Sequence, residues 1–528
     1  MFPQNEEYSF AEGERRYMAK SRSEYVVKNA SITLVMQIIK NVLAFIGRTV
    51  FVYVLGAEYL GVNSLFTDIL TMLSFAELGV GNAIVFSLYK PIAEGNTEKI
   101  KSLMRIYEKA YRIIGIAIAA IGVCIVPFLD AIVGDVSYVK ENITLLYLLF
   151  LLNSVLSYFF AYKKSLIIAY QKNYIVDIYQ QVFYAIQIAG QVAFLLITKE
   201  FIPYLIMMIV CTFLNNVYMA HKANQMYPYL KDKDVVPLEK SESKEIANNV
   251  KSLVVYKLGG IILENTDSIF ISAIIDVITV GLYANYKMVV NVFKTVGAQI
   301  MNSIVASVGN LNAGDDTAKK EEVFYEMFLV CTWFYGFSAA GLFSFLTPFV
   351  KIWLGDSYII GTGAVLAACV YFYVANMHYP AYTYRTTAGL FRYGKFVPMM
   401  CAGLNIALDV VLGMKWGLAG ILWASTISRA FTYELIDPII LYRRVFHKNV
   451  LKYFAMYFAM ALLMAADGVV SYLVMNLVPF SGLLGLIIKA LIFTVIYNGI
   501  FLLVICRTKY FKAILNRIKN MARNRRGK

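Results

Sequence analysis

PFLDAIVGD (residues 127–135) and PFVKIWLGD (residues 348–356) open on the same Pro-Phe and close on the same Gly-Asp, 221 residues apart. Gly61 and Gly281 repeat the match at an offset of 220, and Tyr162-Lys163 and Tyr384-Arg385 at 222. Each pair holds the same place in its half of the chain. One match is within the reach of chance, but three at nearly one offset point to a duplicated architecture. Two lobes of parallel topology are a common plan of transporters that rock around a site at the lobe interface.

The composition says which solvent those lobes fold in. Hydrophobic residues make up 59% of the 528 and charged residues 16%, against about 45–50% and about 25% in soluble proteins. Mean hydropathy is +0.62. A soluble chain splits into domains beyond about 250–300 residues and could not hide this much apolar surface. A soluble enzyme, a disordered scaffold and a disulfide-built module are therefore excluded. Continuous apolar runs, rather than alternation, also exclude a β-barrel.

Runs long enough to cross hydrocarbon, about 20 residues each, lie near 30–55, 60–89, 107–128, 142–162, 176–198, 202–221, 251–275, 279–308, 323–348, 359–383, 396–414, 416–442, 452–475 and 482–506. The expected fold is an all-α polytopic membrane protein of about 14 transmembrane helices: two pseudo-symmetric six-helix lobes plus two C-terminal helices. The domains read as 1–222 (N-terminal segment and N-lobe), 223–250 (polar inter-lobe linker), 251–442 (C-lobe), 443–506 (the last two spans) and 507–528 (basic tail).

Charge sets the orientation. The formal balance is +15, and in a polytopic protein the placement of the excess matters more than its size, because cytoplasmic loops collect Lys and Arg. With a cytoplasmic N-terminus, only four of the 49 cations fall in outer loops, Lys140, Lys199, Lys351 and Lys415, and most of the others lie on the cytoplasmic side. An even span count is thereby favoured, with both termini cytoplasmic. The tail from Arg507 carries nine basic residues and no acid, with Phe511, Ile514, Leu515, Ile518 and Met521 at helical spacing. That pattern suits an interfacial helix on anionic lipid, or a plain topology anchor. The first 28 residues lack an apolar core and do not read as a cleavable signal peptide. The six cysteines have no CxxC spacing, the three histidines form no ligand pattern, and no GxxxxGK[ST], HExxH or GxSxG occurs. No cofactor, metal or nucleic acid is expected.

Polar side chains inside spans are costly, about 2.5–3.5 kcal/mol each for charges on insertion scales, and mark cavities or partners. In span 1, Thr33, Gln37, Asn41 and Arg48 share one helical face, with Lys40 at its edge; in span 2, Asn63, Thr67, Ser74, Glu77 and Gly81 form a similar stripe. Span 7 carries Lys257, Glu264 and Asp267, and span 8 carries Tyr283, Lys287, Asn291 and Lys294. Such stripes on the first two spans of each lobe suit a water-filled cavity. Intramembrane pairing, for example Arg48 with Glu77 or Lys294 with Glu264, is the competing reading of each single residue. Arg48, Lys287, Lys294 and Lys40 are the candidate anion site. Gln37, Asn41, Glu77, Asn291 and Tyr283 are candidate cavity residues. Glu264 and Asp267, three apart on one face, are candidate ion-coupling carboxylates. Arg429 and Glu434 read as a structural or interface pair.

YLGVNSLFTDIL (59–70), FAELGVGNAIVFSLYKPIAEGNTEKIKSLM (75–104) and YRIIG (111–115) resemble the Wzx-type polysaccharide flippases of the multidrug/oligosaccharidyl-lipid/polysaccharide exporter superfamily. SYFFAYKKSLIIAYQKNYI (157–175), ENTDSIFIS (264–272), GLYANYKMVV (281–290), WLGDSY (353–358) and AGLFRYGKFVP (388–398) carry the likeness onward, through about twelve spans and nearest the capsule and exopolysaccharide branch. The resemblance implies a non-enzymatic flippase in the bacterial cytoplasmic (inner) membrane. Its cargo would be an undecaprenyl-diphosphate-linked oligosaccharide repeat unit, moved to the outer leaflet by alternating access coupled to an ion gradient, for capsule, exopolysaccharide or O-antigen synthesis. A polysaccharide polymerase and export machinery would be its partners. A teichoic-acid or peptidoglycan precursor flippase and a multidrug or cation antiporter of the same superfamily stay open. A membrane glycan polymerase would need a large catalytic outer loop, and the longest outer loop read here is about 129–141.

Overall fold

The structure is a computed structural model that describes residues 5–134, 138–232, 235–238, 242, 265–312, 314, 316–479 and 482–526. Side chains are described from Ile32 onward, except at 34, 75–80, 82–83, 303, 306–307, 310, 391, 518 and 520–526. Glu264 and Lys257, and the side chain of Glu77, lie outside the described residues.

All regular structure among the described residues is helical. The chain divides into two compact units. Unit 1 holds Met1–Tyr59, Ile69–Asp130 and Ser137–Lys257, and unit 2 holds Leu60–Asp68, Ala131–Val136 and Leu258–Lys528. In unit 1 the principal helices are α1 (Asn5–Leu73, whose residues 60–68 belong to unit 2), α2 (Phe75–Ala93), α3 (Thr97–Ile125), α4 (Leu129–Val133, shared with unit 2), α5 (Ile143–Tyr158), α6 (Tyr162–Ala169), α7 (Asn173–Thr198) and α8 (Phe201–Met226). Here α7 packs on α8, α5 on α8, and α3 on α2 and α5.

Unit 2 continues with α9 (265–274), α10 (Val277–Asn312), α11 (Thr317–Leu354), α12 (Thr362–Met377), α13 (Tyr379–Thr387), α14 (Val397–Phe431), α15 (Tyr433–Leu441), α16 (Leu451–Asn476), α17 (Gly482–Ile505) and α18 (Lys509–Arg526). Its core is built by α11 against α10, α12 and α16, by α12 against α14, and by α16 against α17.

Local chemistry fixes the ends of these helices. Asn96, Asn142 and Asp316 cap α3, α5 and α11, each side-chain oxygen accepting from the backbone N–H three residues on. The glycines of the repeated motif, Gly134 and Gly355, both take positive φ, at 72° and 98°, directly after a helix. Two long helices are broken at glycines with non-helical backbone, α1 at Gly56 and α14 at Gly417. Gly61 is required by a close approach, since a Cβ there would collide with the Val277 carbonyl oxygen.

Among the described residues, eight helices are long and apolar enough to cross a membrane, or nine when the 43° bend between α5 and α6 is taken as one broken span. The Gly56 and Gly417 breaks fall where the sequence reading separates spans 1 from 2 and 11 from 12. Phe86, Ile197, Leu462, Val495 and Leu503 are each more than 70% exposed. In water such side chains would drive aggregation; in hydrocarbon they are solvated, while the helices satisfy their own backbone groups. The chain is a multi-pass membrane protein.

Candidate functional site

Each unit encloses a polar cavity of its own. In unit 2, α10 lays Tyr283, Lys287, Asn291 and Lys294 along one face, at spacings of four, four and three residues, as the sequence stripe requires. They line a cavity of about 480 Å³ together with Asp68, Asn265 and Asp267, the aromatics Tyr371, Tyr379 and Tyr382, His378, and Arg429 from α14. Five of the expected site residues (Tyr283, Asp267, Lys287, Asn291 and Lys294) are thus brought together.

The cavity's charges are organised in two groups. Lys287 Nζ lies 3.2 Å from Asp68 Oδ2, with the two side chains 31% and 17% exposed. Ser268 Oγ donates to the same carboxylate oxygen. The Arg429 guanidinium lies over two rings, 5.6 Å from the Tyr371 centroid and 5.5 Å from that of Tyr433. The same guanidinium lies within electrostatic reach of the buried carboxyls of Asp267 and Glu434. Three cations against two carboxylates leave the lining formally positive.

Behind Asp267 runs a buried polar chain. Ser425 Oγ donates to Asp267 Oδ1 at 3.0 Å, and Asn405 Nδ2 donates to Ser425 Oγ and to Asp409 Oδ1, both at 3.1 Å. Asn405, Asp409 and Ser425 are fully buried. Asn405 Oδ1 and Asp409 Oδ2 have no hydrogen-bond partner among the described residues. Two carboxylates, an amide oxygen and a hydroxyl within one connected group form the hard oxygen set that an alkali cation or a shared proton needs.

In unit 1, α1 sends Thr33, Gln37 and Lys40 into a second cavity of about 440 Å³, closed by α5, α6, α7 and α8. Gln37 Nε2 donates to Asn41 Oδ1 at 3.1 Å. Arg48 lies on the same helix, within electrostatic reach of Tyr204 and Tyr184, and its Nη1 is buried without a hydrogen-bond partner among the described residues. The candidate anion site therefore divides: Lys287 and Lys294 belong to the unit 2 cavity, Lys40 lines the unit 1 cavity, and Arg48 stands beside Tyr184 of its wall.

Sequence reasoning missed Asp68, Asp409 and the place of Arg429. Arg429 faces the unit 2 cavity, and Glu434, expected beside it, is buried within its electrostatic reach, with no hydrogen bond to either carboxylate oxygen among the described residues. The signals were present, since Asn405 and Asp409, and Ser425 and Arg429, stand four apart in neighbouring spans. A fully buried ion pair, Arg385 with Asp437 at 3.1 Å, holds α13 to α15 outside the cavity lining.

These helices make the chain an all-helical polytopic membrane protein, and its fold is similar to that of solved flippases and transporters of the MOP type. Among solved structures the chain is similar to the lipid II flippase MurJ in an inward closed conformation, with a TM-score of 0.61 at 14% identity, covering 89% of this chain and 98% of that one. It is also similar to a multidrug resistance MATE transporter of the MOP superfamily in an inward-facing conformation, with a TM-score of 0.58 at 11% identity over 77% and 96%. The MATE multidrug transporter DinF-BH gives a TM-score of 0.53 at 14% identity over 81% and 97%. No family model and no curated protein matches the sequence. At these identities the likeness is one of fold.

Proposed function

We propose that the chain is a Wzx-type flippase that carries an undecaprenyl-diphosphate-linked oligosaccharide from the cytoplasmic to the outer leaflet of the bacterial inner membrane. The observation that carries this reading is the net positive cavity of unit 2, with Lys287, Lys294 and Arg429 on its wall. A diphosphate in low dielectric needs fixed cations, and an unpaired anion there costs several kcal/mol even after relaxation. Arg429 offers a planar fork for phosphate oxygens, and the lysines act as flexible point charges. A cationic drug would call for an excess of acid on the same wall. Coupling falls to Asp267 with Asp409, Asn405 and Ser425, where a proton or alkali cation exchanged with the gradient biases alternating access. The polymerase and export machinery stand downstream of this step.

The test is genetic and chemical. Deletion should cause lipid-linked oligosaccharide to accumulate, read by mass spectrometry, and a plasmid copy should restore surface polysaccharide. Lys287→Ala, Lys294→Ala and Arg429→Ala should each reduce that rescue at normal protein level. Full export by the triple variant would overturn the reading.

A further inference from the structure

The unit 1 cavity differs in chemistry from that of unit 2, and its lining says what it would hold. Its wall is rich in carboxamides: Gln37, Gln180, Gln181, Gln187, Asn215 and Asn216. Hydroxyls from Thr33, Ser157, Thr212 and Tyr184 stand among them. Its charges are Lys40, Lys164 and Asp177. Asp177 is already engaged, since Thr33 Oγ1 donates to its Oδ2 and Asn173 Nδ2 donates to the same oxygen at 2.9 Å. Asn216 is committed as well, its Nδ2 donating to the carbonyls of Leu156 and Ser157 at 3.2 and 3.0 Å.

Other groups on the wall are poised for a ligand. Gln181 is only 8% exposed, yet its Nε2 has no hydrogen-bond partner among the described residues. Asn215 Oδ1 is in the same position. An unmatched donor and an unmatched acceptor on one polar wall are costly unless something supplies the complement. A carboxamide both donates and accepts, which matches a sugar hydroxyl that does the same. The single acid of the lining, Asp177, is outnumbered by Lys40 and Lys164, so a cationic ligand meets a wall of net positive charge. Two lysines without a guanidinium fork on the wall give a diphosphate less than the unit 2 cavity does.

We propose that the unit 1 cavity is a saccharide subsite, binding the hydroxyl-rich and uncharged part of a glycan through Gln181, Asn215 and the neighbouring carboxamides. The class of ligand is a short neutral oligosaccharide, with Lys40 and Lys164 able to accept one acidic sugar. This extends the flippase reading above and rests on it for the cargo's being glycan-linked.

The test uses the full chain in nanodiscs with four probes: maltotriose, chitotriose, inorganic pyrophosphate and a cationic rhodamine dye. Binding is read by saturation-transfer NMR for the sugars and the dye, and by calorimetry for pyrophosphate. At least one sugar should bind saturably in the millimolar range. Gln181→Leu and Asn215→Leu should each weaken it about tenfold while leaving pyrophosphate binding unchanged. Lys287→Ala should do the reverse. Gln181→Glu, which keeps the shape and removes the donor, guards against loss of fold, and its unfolding temperature should stay within a few degrees of the parent. No saturable sugar binding, sugar binding unchanged in the Gln181 and Asn215 variants, or the dye displacing every bound sugar while outbinding it would each overturn the subsite. Sugar binding without any pyrophosphate binding would sink the diphosphate reading of unit 2 and leave the subsite standing.

Discussion

Lys287 faces two kinds of partner, the carboxylate of Asp68 and the anion that the cavity is proposed to take, and this competition makes a prediction with opposite signs. At 3.2 Å, unit charges attract by about 5 kcal/mol at an effective dielectric of 20. Desolvation offsets most of that, and Lys287 is 31% exposed, so the net coupling should be about 1–2 kcal/mol. Lys287→Met keeps the apolar stem and leaves Asp68 facing Asp267 across the cavity without its counter-charge. Asp68→Asn keeps the shape and frees the ammonium.

In reversible denaturation of the detergent-solubilised protein, Lys287→Met should be destabilised. The Lys287→Met, Asp68→Asn double variant should recover at least half of that loss. In pyrophosphate binding the two single variants should move apart. Lys287→Met should weaken binding about 10-fold or more, and Asp68→Asn should tighten it by about 5–30-fold, the factor that 1–2 kcal/mol represents. Export by Asp68→Asn should nonetheless fall, because the cargo leaves more slowly. If Asp68→Asn weakens anion binding, or the double variant is no more stable than Lys287→Met alone, the pair does not compete with the cargo and the reasoning fails.

Three further outcomes are expected. Asp267→Asn and Asp409→Asn should each remove the dependence of export on an ion gradient, measured in energised vesicles, while the protein inserts normally; retained dependence in both would remove coupling from this group. Arg385→Leu should cost about 3–5 kcal/mol by stranding the fully buried Asp437, and Arg385→Leu with Asp437→Leu should regain most of it, as read from the denaturation midpoint. Reporter fusions after Arg105, Lys164, Lys240 and Lys512 should report cytoplasm, and one after Asp135 the outside; an outside signal at Lys240 would break the proposed orientation.

The sequence revealed these features unevenly, for physical reasons. Helix class follows from apolar run length, and the α10 stripe from 3.6-residue periodicity, so Tyr283, Lys287, Asn291 and Lys294 were found together on one face. The repeated Gly-Asp ends marked Gly134 and Gly355, both in positive φ, because that backbone geometry selects glycine. Periodicity within one helix carries no information about which other helix it meets. Asp68 therefore passed unnoticed as the partner of Lys287, 219 residues away. Arg429 and Glu434, five apart, read as a pair and do interact electrostatically, but the sequence did not show that Arg429 also lies over Tyr371 and Tyr433 at the cavity wall. The span 1 stripe was legible as polar, but not the carboxamides of α7 and α8 that complete its cavity.

On the proposed reading, the two charge groups of unit 2 also give the sign of the coupling between ion and anion binding. Asp267 belongs to both: it lines the cavity with Lys287, Lys294 and Arg429, and it accepts from Ser425 in the chain that ends at Asp409. A cation or proton entering that oxygen set cancels negative charge beside the cavity, so the lining becomes more positive and holds an anion more tightly. Its departure restores the carboxylate and weakens that hold. Linkage makes the effect reciprocal, with the anion raising cation affinity by the same factor. On this wall ion and anion binding would be positively coupled, yet an ion leaving outward with the cargo would move against an inward-directed gradient, so in the proposed cycle the gradient acts on the return step, after the cargo has left. An antiporter of cationic drugs requires the opposite arrangement, in which ion and drug compete for the same uncompensated carboxylate. On this reading the sign follows from the cations on the cavity wall, and acids in their place would reverse it on the same fold.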